Sequence, residues 1–521
     1  MIARMAARSG AMTVLALAIV AAAGYAFSRV PTGFLPIEDQ GYLLASVQLP
    51  DGAALDRTQR VLDRVSDIAR RTPGVAQTVT IAGISVLDNS ASLAKAGVAY
   101  IILKPWSERG AGEDLRSLFV GLNASLGAIE EARTIVLPPP PIQGVGNAAG
   151  ATMQIELRDG SFDLAKLQAT VDTFVANAAT QSSLARVQAT FRSTVPQYTV
   201  AVDRVKTETL HVSVDQVFSA LAGYLGSSYV DQFNKFGRTY QIFVQADSQF
   251  RLRTEDIANL TVRNKDGSMI PLGTLVTVTP TVGPSLISLY NLYPAASVIA
   301  LPAAGVSSGD AIKLMEEIAA RTLPPGTGFE WTAMSYQEKA VGNQMYVVFA
   351  LALLLVYLVL AGQYESWHAP VAVILAVPLS LLGPIAVLEG LRIDNNLYVQ
   401  IGLVLLIALS AKNAILIVEV ARERLAKGEA LIDAAVAGAR ARFRPILMTS
   451  FAFILGVAPL VVATGAGANA RKSIGISVFS GMIASTCLAV LFVPSFFIVV
   501  QRLAGWRAAT KRRAAEGTPA E

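Results

Sequence analysis

Cysteine and histidine are nearly missing from this chain. The single cysteine, Cys487, sits inside an apolar run, so no intrachain disulfide and no cysteine-rich metal site can form. The two histidines, His211 and His368, are far apart and belong to no ligand motif, which argues against a zinc site or imidazole catalysis. Charge is scarce as well: 16% of the 521 residues are charged against 53% hydrophobic, too apolar for an ordinary soluble protein of this size. The net charge of +5 is no nucleic-acid signal, because the basic residues cluster beside hydrophobic segments. Nor does the sequence carry a Gly-rich phosphate loop, a nucleophile elbow, an HExxH pair or paired catalytic carboxylates. Binding or conformational work fits these absences better than enzyme catalysis.

Long apolar runs are what the chain has in abundance. Residues 11–28, 344–361, 369–388, 397–418, 446–463 and 474–500 each hold about the 17–25 apolar positions that a membrane-crossing helix needs. The third contains Pro370, Pro378 and Pro384, which membrane helices accept more readily than soluble ones. Six spans put both termini on one side. Arg4, Arg8, a 421–444 loop (Arg422, Arg424, Lys427, Arg440, Arg442, Arg444) and the tail (Arg502, Arg507, Lys511, Arg512, Arg513) fall on that side. The short loops opposite offer only Arg392, Arg471 and Lys472, so the positive-inside rule makes the termini cytoplasmic. The first run has a second reading as a cleaved signal peptide, with a basic start and alanines near its end. Charge bias does not separate the two.

The soluble-looking stretch between the first two spans repeats itself. Residues 43–81 read as strand, Asp-Gly turn, amphipathic helix, Pro-Gly turn, strand; residues 152–191 have the same plan, and 297–334 form a looser third copy. Units of this kind suggest split βαβ, ferredoxin-like domains, making the fold class a six-helix membrane bundle with a large α+β extramembrane region. The tetraproline Pro138–Pro141 is a stiff joint between the first two copies. Residues 226–282 break the pattern: GSSYVDQFNKFGRTYQIFVQ reads as a hairpin and NKDGSMIPL as a turn between strands, giving a β-rich insertion.

One residue stands out within the spans. LVLLIALSAKNAILIVEV places Lys412 and Asn413 in the middle of an apolar helix, with Ser410 just before. Lys412 lies roughly 12 Å of helix rise from the basic edge near Arg422, so snorkelling is the plain alternative. A lipid-facing helix has no use for three polar groups within four positions, whereas a bundle interior does. No Asp or Glu lies centrally in any span; Glu419 shares the lysine's face but sits about 10 Å away along the axis. Either Lys412 is held neutral by burial or its acid comes from elsewhere. A second polar line runs through RARFRPILMTSFAFILG, where Arg442 and Thr449 are seven apart on one helical face. Each alone has an ordinary reading, as a loop arginine and a backbone-bonding threonine. With Lys412 they make a candidate proton or ion relay.

Several stretches resemble the C-terminal half of an inner-membrane multidrug efflux permease of the RND superfamily, hydrophobe/amphiphile branch. They are PTGFLPIEDQGYLLASVQLPDGA, GSSYVDQF, WTAMSYQE, GQYESW, IALSAKNAILIVEV, RFRPILMTSFAFILGVAPLVVATGAG and LFVPSFF, in order along nearly the whole chain. The resemblance implies a first span over 1–28, periplasmic porter subdomains at 29–141 and 142–342, the second carrying a docking insertion at about 226–282, five spans over 343–503 and a basic cytoplasmic tail at 504–521. It implies a homotrimer in the inner membrane, working with a periplasmic adaptor and an outer-membrane channel, and exporting small amphiphilic drugs against protons with no bound cofactor. The implied relay is Lys412, Asn413, Arg442 and Thr449, facing an aspartate pair supplied by an N-terminal half. The implied substrate path has Met153, Ile155 and Leu157 lining an access cleft. Ile84, Val86 and Leu87, after Gly83, would form a loop that divides the pockets; the phenylalanines common there in the family are absent. A truncated, non-transporting scaffold subunit and a heavy-metal exporter are the alternatives.

Overall fold

The computed structural model describes residues 2–146, 150–303, 305–342 and 344–516. The chain divides into two compact units, one made of Met1–Thr190 with Ser288–Glu521 and the other of Phe191–Ile287.

The larger unit holds all the membrane-capable helices. Among the described residues six are long and apolar enough to cross a bilayer: Ser9–Phe27, Val347–Tyr364, Ala369–Leu391, Leu397–Ala426, Leu431–Val461 and Ala468–Ala504. They are called the first to sixth spans below. The third is broken into Ala369–Ile374, Val377–Ser380 and Leu382–Leu391, because Pro378 and Pro384 each remove a backbone donor from the helical ladder, while Pro370 sits harmlessly in the first turn. The 421–444 stretch expected as a loop is mostly helix, with the turn confined to the few residues around Gly428, whose φ is +91°. Arg440, Arg442 and Arg444 are therefore helical residues of the fifth span. The last helix likewise continues through Glu516, so the expected tail from 504 is helical as far as it is described; 517–521 lie outside the described residues.

The spans close on one another where glycine replaces a side chain. Gly402 faces Ser477, Gly438 faces the Ile417 carbonyl and Ala421, and Gly475 faces Leu460, each without room for a Cβ. Without a hydrophobic drive between helices in lipid, such close approach is what van der Waals packing needs. The third, fourth and sixth spans form the buried centre, 50%, 56% and 67% buried, against 11% for the first, second and fifth. The fifth span, carrying Arg442 and Thr449, thus turns most of its surface outward.

Two α+β subdomains complete this unit. In the first, Tyr42–Gln48, Leu55–Arg71, Val75–Ser85, Ala91–Leu103, Leu115–Gly127 and Arg133–Leu137 follow one another as βαββαβ, and the antiparallel strands lie in the order 2-3-1-4. Helix 55–71 buries Thr58, Val61, Leu62, Val65 and Ala69, the spacing of one helical stripe, and Gly97 leaves room beneath Leu62. Its partner helix starts at Asp114, whose carboxylate takes the Ser117 N–H at 3.1 Å. Side chains such as Leu43, Leu62, Ile101 and Leu122 are fully buried there, each contributing roughly 1.5–3 kcal/mol.

The second subdomain repeats this plan with Ala151–Leu157, Leu164–Ala179, Leu184–Ala189, Tyr293–Pro302, Ser308–Thr322 and Thr327–Trp331, again ordered 2-3-1-4. The third sequence copy, 297–334, is therefore no separate domain but the back half of the second. The smaller unit is inserted between the second and third strands of this subdomain. It is wider than the insertion expected at about 226–282, because Val195–Val202 pairs along its length with Val276–Gly283 and closes the unit at its base. Inside it, Val217, Leu272 and Leu275 are fully buried, while every residue of the hairpin strands Ser228–Lys235 and Arg238–Val244 is exposed.

Gly383 lies against the Ser480 carbonyl too closely for any Cβ. Gly383→Ala should therefore force the third and sixth spans apart and destabilise the protein by roughly 1–3 kcal/mol. Gly390→Ala, in the same helix with nothing within 4 Å, should leave thermal unfolding in detergent unchanged or slightly raised.

Candidate functional site

The fourth and fifth spans run antiparallel across the short turn at Gly428, with Gly438 seated on residues 417–421. Counting helix rise from that contact puts Arg442 roughly 6 Å along, Lys412 roughly 10 Å and Thr449 roughly 16 Å. The three thus lie within about two turns in depth.

Their environments differ. Lys412 is exposed and has no hydrogen bond or ion pair among the described residues. Asn413 and Ser410 turn the other way: they are 2% and 0% exposed, and the Asn413 amide nitrogen and Ser410 hydroxyl find no protein partner among the described residues. Ser450 on the fifth span and Ser485 on the sixth carry similar orphan hydroxyls. Asn413, next to the lysine in sequence, therefore points about a hundred degrees away from it around the helix, into the bundle. Arg442 is half-buried with its Nε unpartnered, and the Thr449 hydroxyl donates to the Ile446 carbonyl at 3.1 Å. Glu419 is exposed. The face shown outward by the fourth and fifth spans thus carries a lysine, a half-buried arginine and a threonine.

The expected substrate-path residues divide. Met153, Ile155 and Leu157 are each 0% exposed; Thr152 before them and Gln154 among them are half-buried, while Glu156 is also buried. Strand alternation turns the apolar three toward the core, so in this structure they are not on an open surface. Ile84 is half-buried, Val86 packs with Leu44 and Val98, and Leu87 inserts among Ile135, Leu137 and Ile299, bridging the two subdomains. On the same face as Leu44 and Val98, Tyr42 and Tyr100 stand 6.2 Å apart and half-buried. This aromatic pair was passed over in the sequence because each tyrosine falls within an ordinary strand pattern.

A cavity of about 720 Å³ lies where the spans meet the second subdomain. Phe27, Phe349, Ile385 and Leu403 give it apolar walls, and Lys313, Glu316, Glu338 and Lys339 stand at its polar end. Beside it, residues 31–34 are held from both sides: Asn395 N–H donates to the Pro31 carbonyl at 2.8 Å, Gly309 N–H to the Thr32 carbonyl at 3.1 Å and Leu397 N–H to the Phe34 carbonyl at 3.0 Å. Ser308 Oγ accepts the Phe34 N–H at 3.3 Å and donates to Glu338 at 2.9 Å. Gly33 fits between Ser308 and Asp394, the latter of which a Cβ would crowd.

Burial, reinforced by the nearby Asp394 carboxylate, pushes Glu338 up to about 7 despite its bond to Ser308 and the charge of Lys339. Asp394 is also raised, by burial first and by Asp310 second. The sequence offered no sign of this cluster, since its members lie on four separate elements.

Because the neutral acid is the form this packing accepts, the Glu338 proton stabilises the joint. That contribution is complete below the ordinary carboxylate range and is lost as pH rises through about 7. Hydrogen exchange of the Ala333–Val341 amides, corrected for intrinsic rates, should show protection falling across that window in the wild type, and Glu338→Gln should flatten the profile. A flat wild-type profile would contradict this.

The family described as AcrB/AcrD/AcrF matches residues 1–501. The toluene efflux pump membrane transporter TtgB of Pseudomonas putida is 39% identical over 481 residues, covering 92% of this chain and 45% of its own length. The multidrug export protein AcrF of Escherichia coli is 39% identical over 488 residues, 93% of this chain and 47% of its own. The multidrug resistance protein MdtF of Escherichia coli is 38% identical over 500 residues, 95% and 48%. The chain spans about half the length of these curated relatives.

Proposed function

The chain belongs to the AcrB/AcrD/AcrF family, and on that premise we propose that it acts as the C-terminal half of a proton-driven exporter of amphiphilic compounds. The observation that carries this is Lys412, exposed on a membrane-capable helix and without a partner among the described residues. An ammonium in hydrocarbon needs a counter-charge, and a complementary half bearing an intramembrane carboxylate pair supplies one. Protonating that pair removes the attraction holding it to Lys412, so the helices shift between two packings. Arg442 and Thr449, at neighbouring depths on the adjacent span, extend the relay, and Asn413 supports it from the buried side.

The βαββαβ subdomains with strand order 2-3-1-4 follow the ferredoxin-like plan and serve as the porter. The amphipathic cavity at their base suits molecules with an apolar body and a polar end, and the Tyr42–Tyr100 face offers aromatic surface farther on. The Phe191–Ile287 unit serves in docking, within a homotrimer that meets a periplasmic adaptor and an outer-membrane channel. The basic ends of the spans support a topology with both termini in the cytoplasm of a cell with two membranes. TtgB, AcrF and MdtF bear names of efflux and resistance, which supports the reading.

Expressed with a matching N-terminal half in cells lacking their own pumps, the chain should restore ethidium efflux. Lys412→Ala should reduce it to the level of the empty vector at equal membrane abundance. Undiminished efflux in that variant would sink the relay assignment.

A further inference from the structure

The linker from the first span to the first sheet carries two adjacent acids, and each is engaged by a different part of the molecule. Glu38 is only 8% exposed. Its carboxylate accepts the Ala470 N–H at 2.6 Å and the Asn469 N–H at 3.1 Å, while the Asn469 side-chain amide donates to the Ile37 carbonyl at 2.6 Å. Asn469 and Ala470 open the Ala468–Glu516 helix. The first N–H groups of a helix have no partners within it, and a carboxylate there also meets the positive end of the helix dipole. Glu38 thus caps the sixth span from more than four hundred residues away in sequence.

Asp39 faces the other way. It pairs with Arg109, whose side chain is 6% exposed, and accepts the Gly41 N–H at 3.0 Å. Arg109 in turn donates to the Lys104 carbonyl at 2.7 Å and lies 5.6 Å from the centre of the Trp106 ring. The Gly41 carbonyl accepts the Leu103 N–H at 2.8 Å, which ties the end of the linker to the first sheet. Consecutive Cα atoms stand about 3.8 Å apart whatever the conformation. A displacement of the helix end therefore has a single peptide unit in which to be absorbed before it reaches the subdomain.

The other end of the connection is equally close. The sixth span meets the fourth where Gly402 lies on Ser477 and Gly481 on Leu406. Lys412 follows Gly402 by ten residues, about 15 Å of helix rise.

We propose that Glu38 is a positioning residue that fixes the sixth span to the first soluble subdomain, so that a shift of the bundle caused at Lys412 moves that subdomain with it. This rests on the proton-driven reading above, and it adds the connection through which the driving step reaches the substrate path. The bond is directed at backbone N–H groups of a continuous helix, so it carries axial displacement without depending on a side-chain rotamer at the receiving end.

The test uses the full chain with its complementary half in nanodiscs. One spin label goes on the native, exposed Cys487 of the sixth span and one on Arg60→Cys, exposed on helix 55–71. Pulsed electron paramagnetic resonance should give one narrow distance distribution, the same on both sides of neutral pH, because helix and subdomain move together. Glu38→Ala should broaden that distribution and make it depend on pH, and should lower ethidium efflux roughly tenfold, the range expected when a coupling contact is removed. Glu38→Gln, which keeps one acceptor oxygen, should restore part of both readouts and guards against a simple folding failure.

An unchanged, pH-independent distance in both variants overturns the proposal. So does a broadened distance with wild-type efflux, which would leave Glu38 a structural cap alone. If Lys412→Ala keeps full efflux while Glu38→Ala still separates helix from subdomain, the relay reading fails and the mechanical link stands.

Discussion

A positive charge set midway along an apolar helix constrains everything around it. Lys412 would cost several kcal/mol in hydrocarbon if left alone, and the chain offers it neither a central acid in the spans nor a partner among the described residues. The rest of the bundle is consistent with that outward demand. The third, fourth and sixth spans pack into a centre through glycine and serine, while the first, second and fifth stay 11% buried. The fifth span is thus left largely uncovered.

The membrane half of the fold was legible in the sequence because its signal is composition over long windows. All six spans follow from runs of apolar residues, and only their ends moved. Those ends moved toward helix because basic and alanine-rich flanks propagate a helix as readily as apolar residues do. The soluble part was legible in its periodicity but not in its closure. The copy at 297–334 reads along the chain as a looser third repeat; in space its strand pairs with 151–157 and 184–189 and finishes the second subdomain. Pairing across an insertion of nearly a hundred residues leaves no local trace, and the strand 195–202, which closes the inserted unit against 276–283, leaves none either.

The site was legible unevenly, for reasons that differ by residue. Lys412 announced itself, since a lone cation in an apolar run is conspicuous. Asn413 did not reveal its direction: neighbours in a helix differ by about a hundred degrees, and only the packed spans show that it points inward with Ser410. The family resemblance implies a cleft at Met153, Ile155 and Leu157, yet their alternation equally describes a strand's core-facing side. Choosing between the faces requires knowing which one the helices cover. Glu338 and Asp394 were invisible, because a buried acid at the meeting of four elements looks in sequence like any polar residue near a turn.

The placement of the acids connects these observations. Glu38, Asp39, Glu338 and Asp394 all lie where helices join the soluble subdomains, and none lies centrally in a span. At such joints a carboxylate finds backbone N–H groups at a helix start, as Glu38 does, or a buried guanidinium, as Asp39 does. In mid-span it would find neither, and its desolvation would go uncompensated. The joints can therefore be made rigid by acids from within the chain, while the cation in the bundle has no such acid among the described residues. Had an acid on this chain paired with Lys412, the two would form a fixed internal contact. In the proposed function, matching the lysine across an interface would put the switchable charge where helix packing has room to change, and would leave the joints free to carry that change onward.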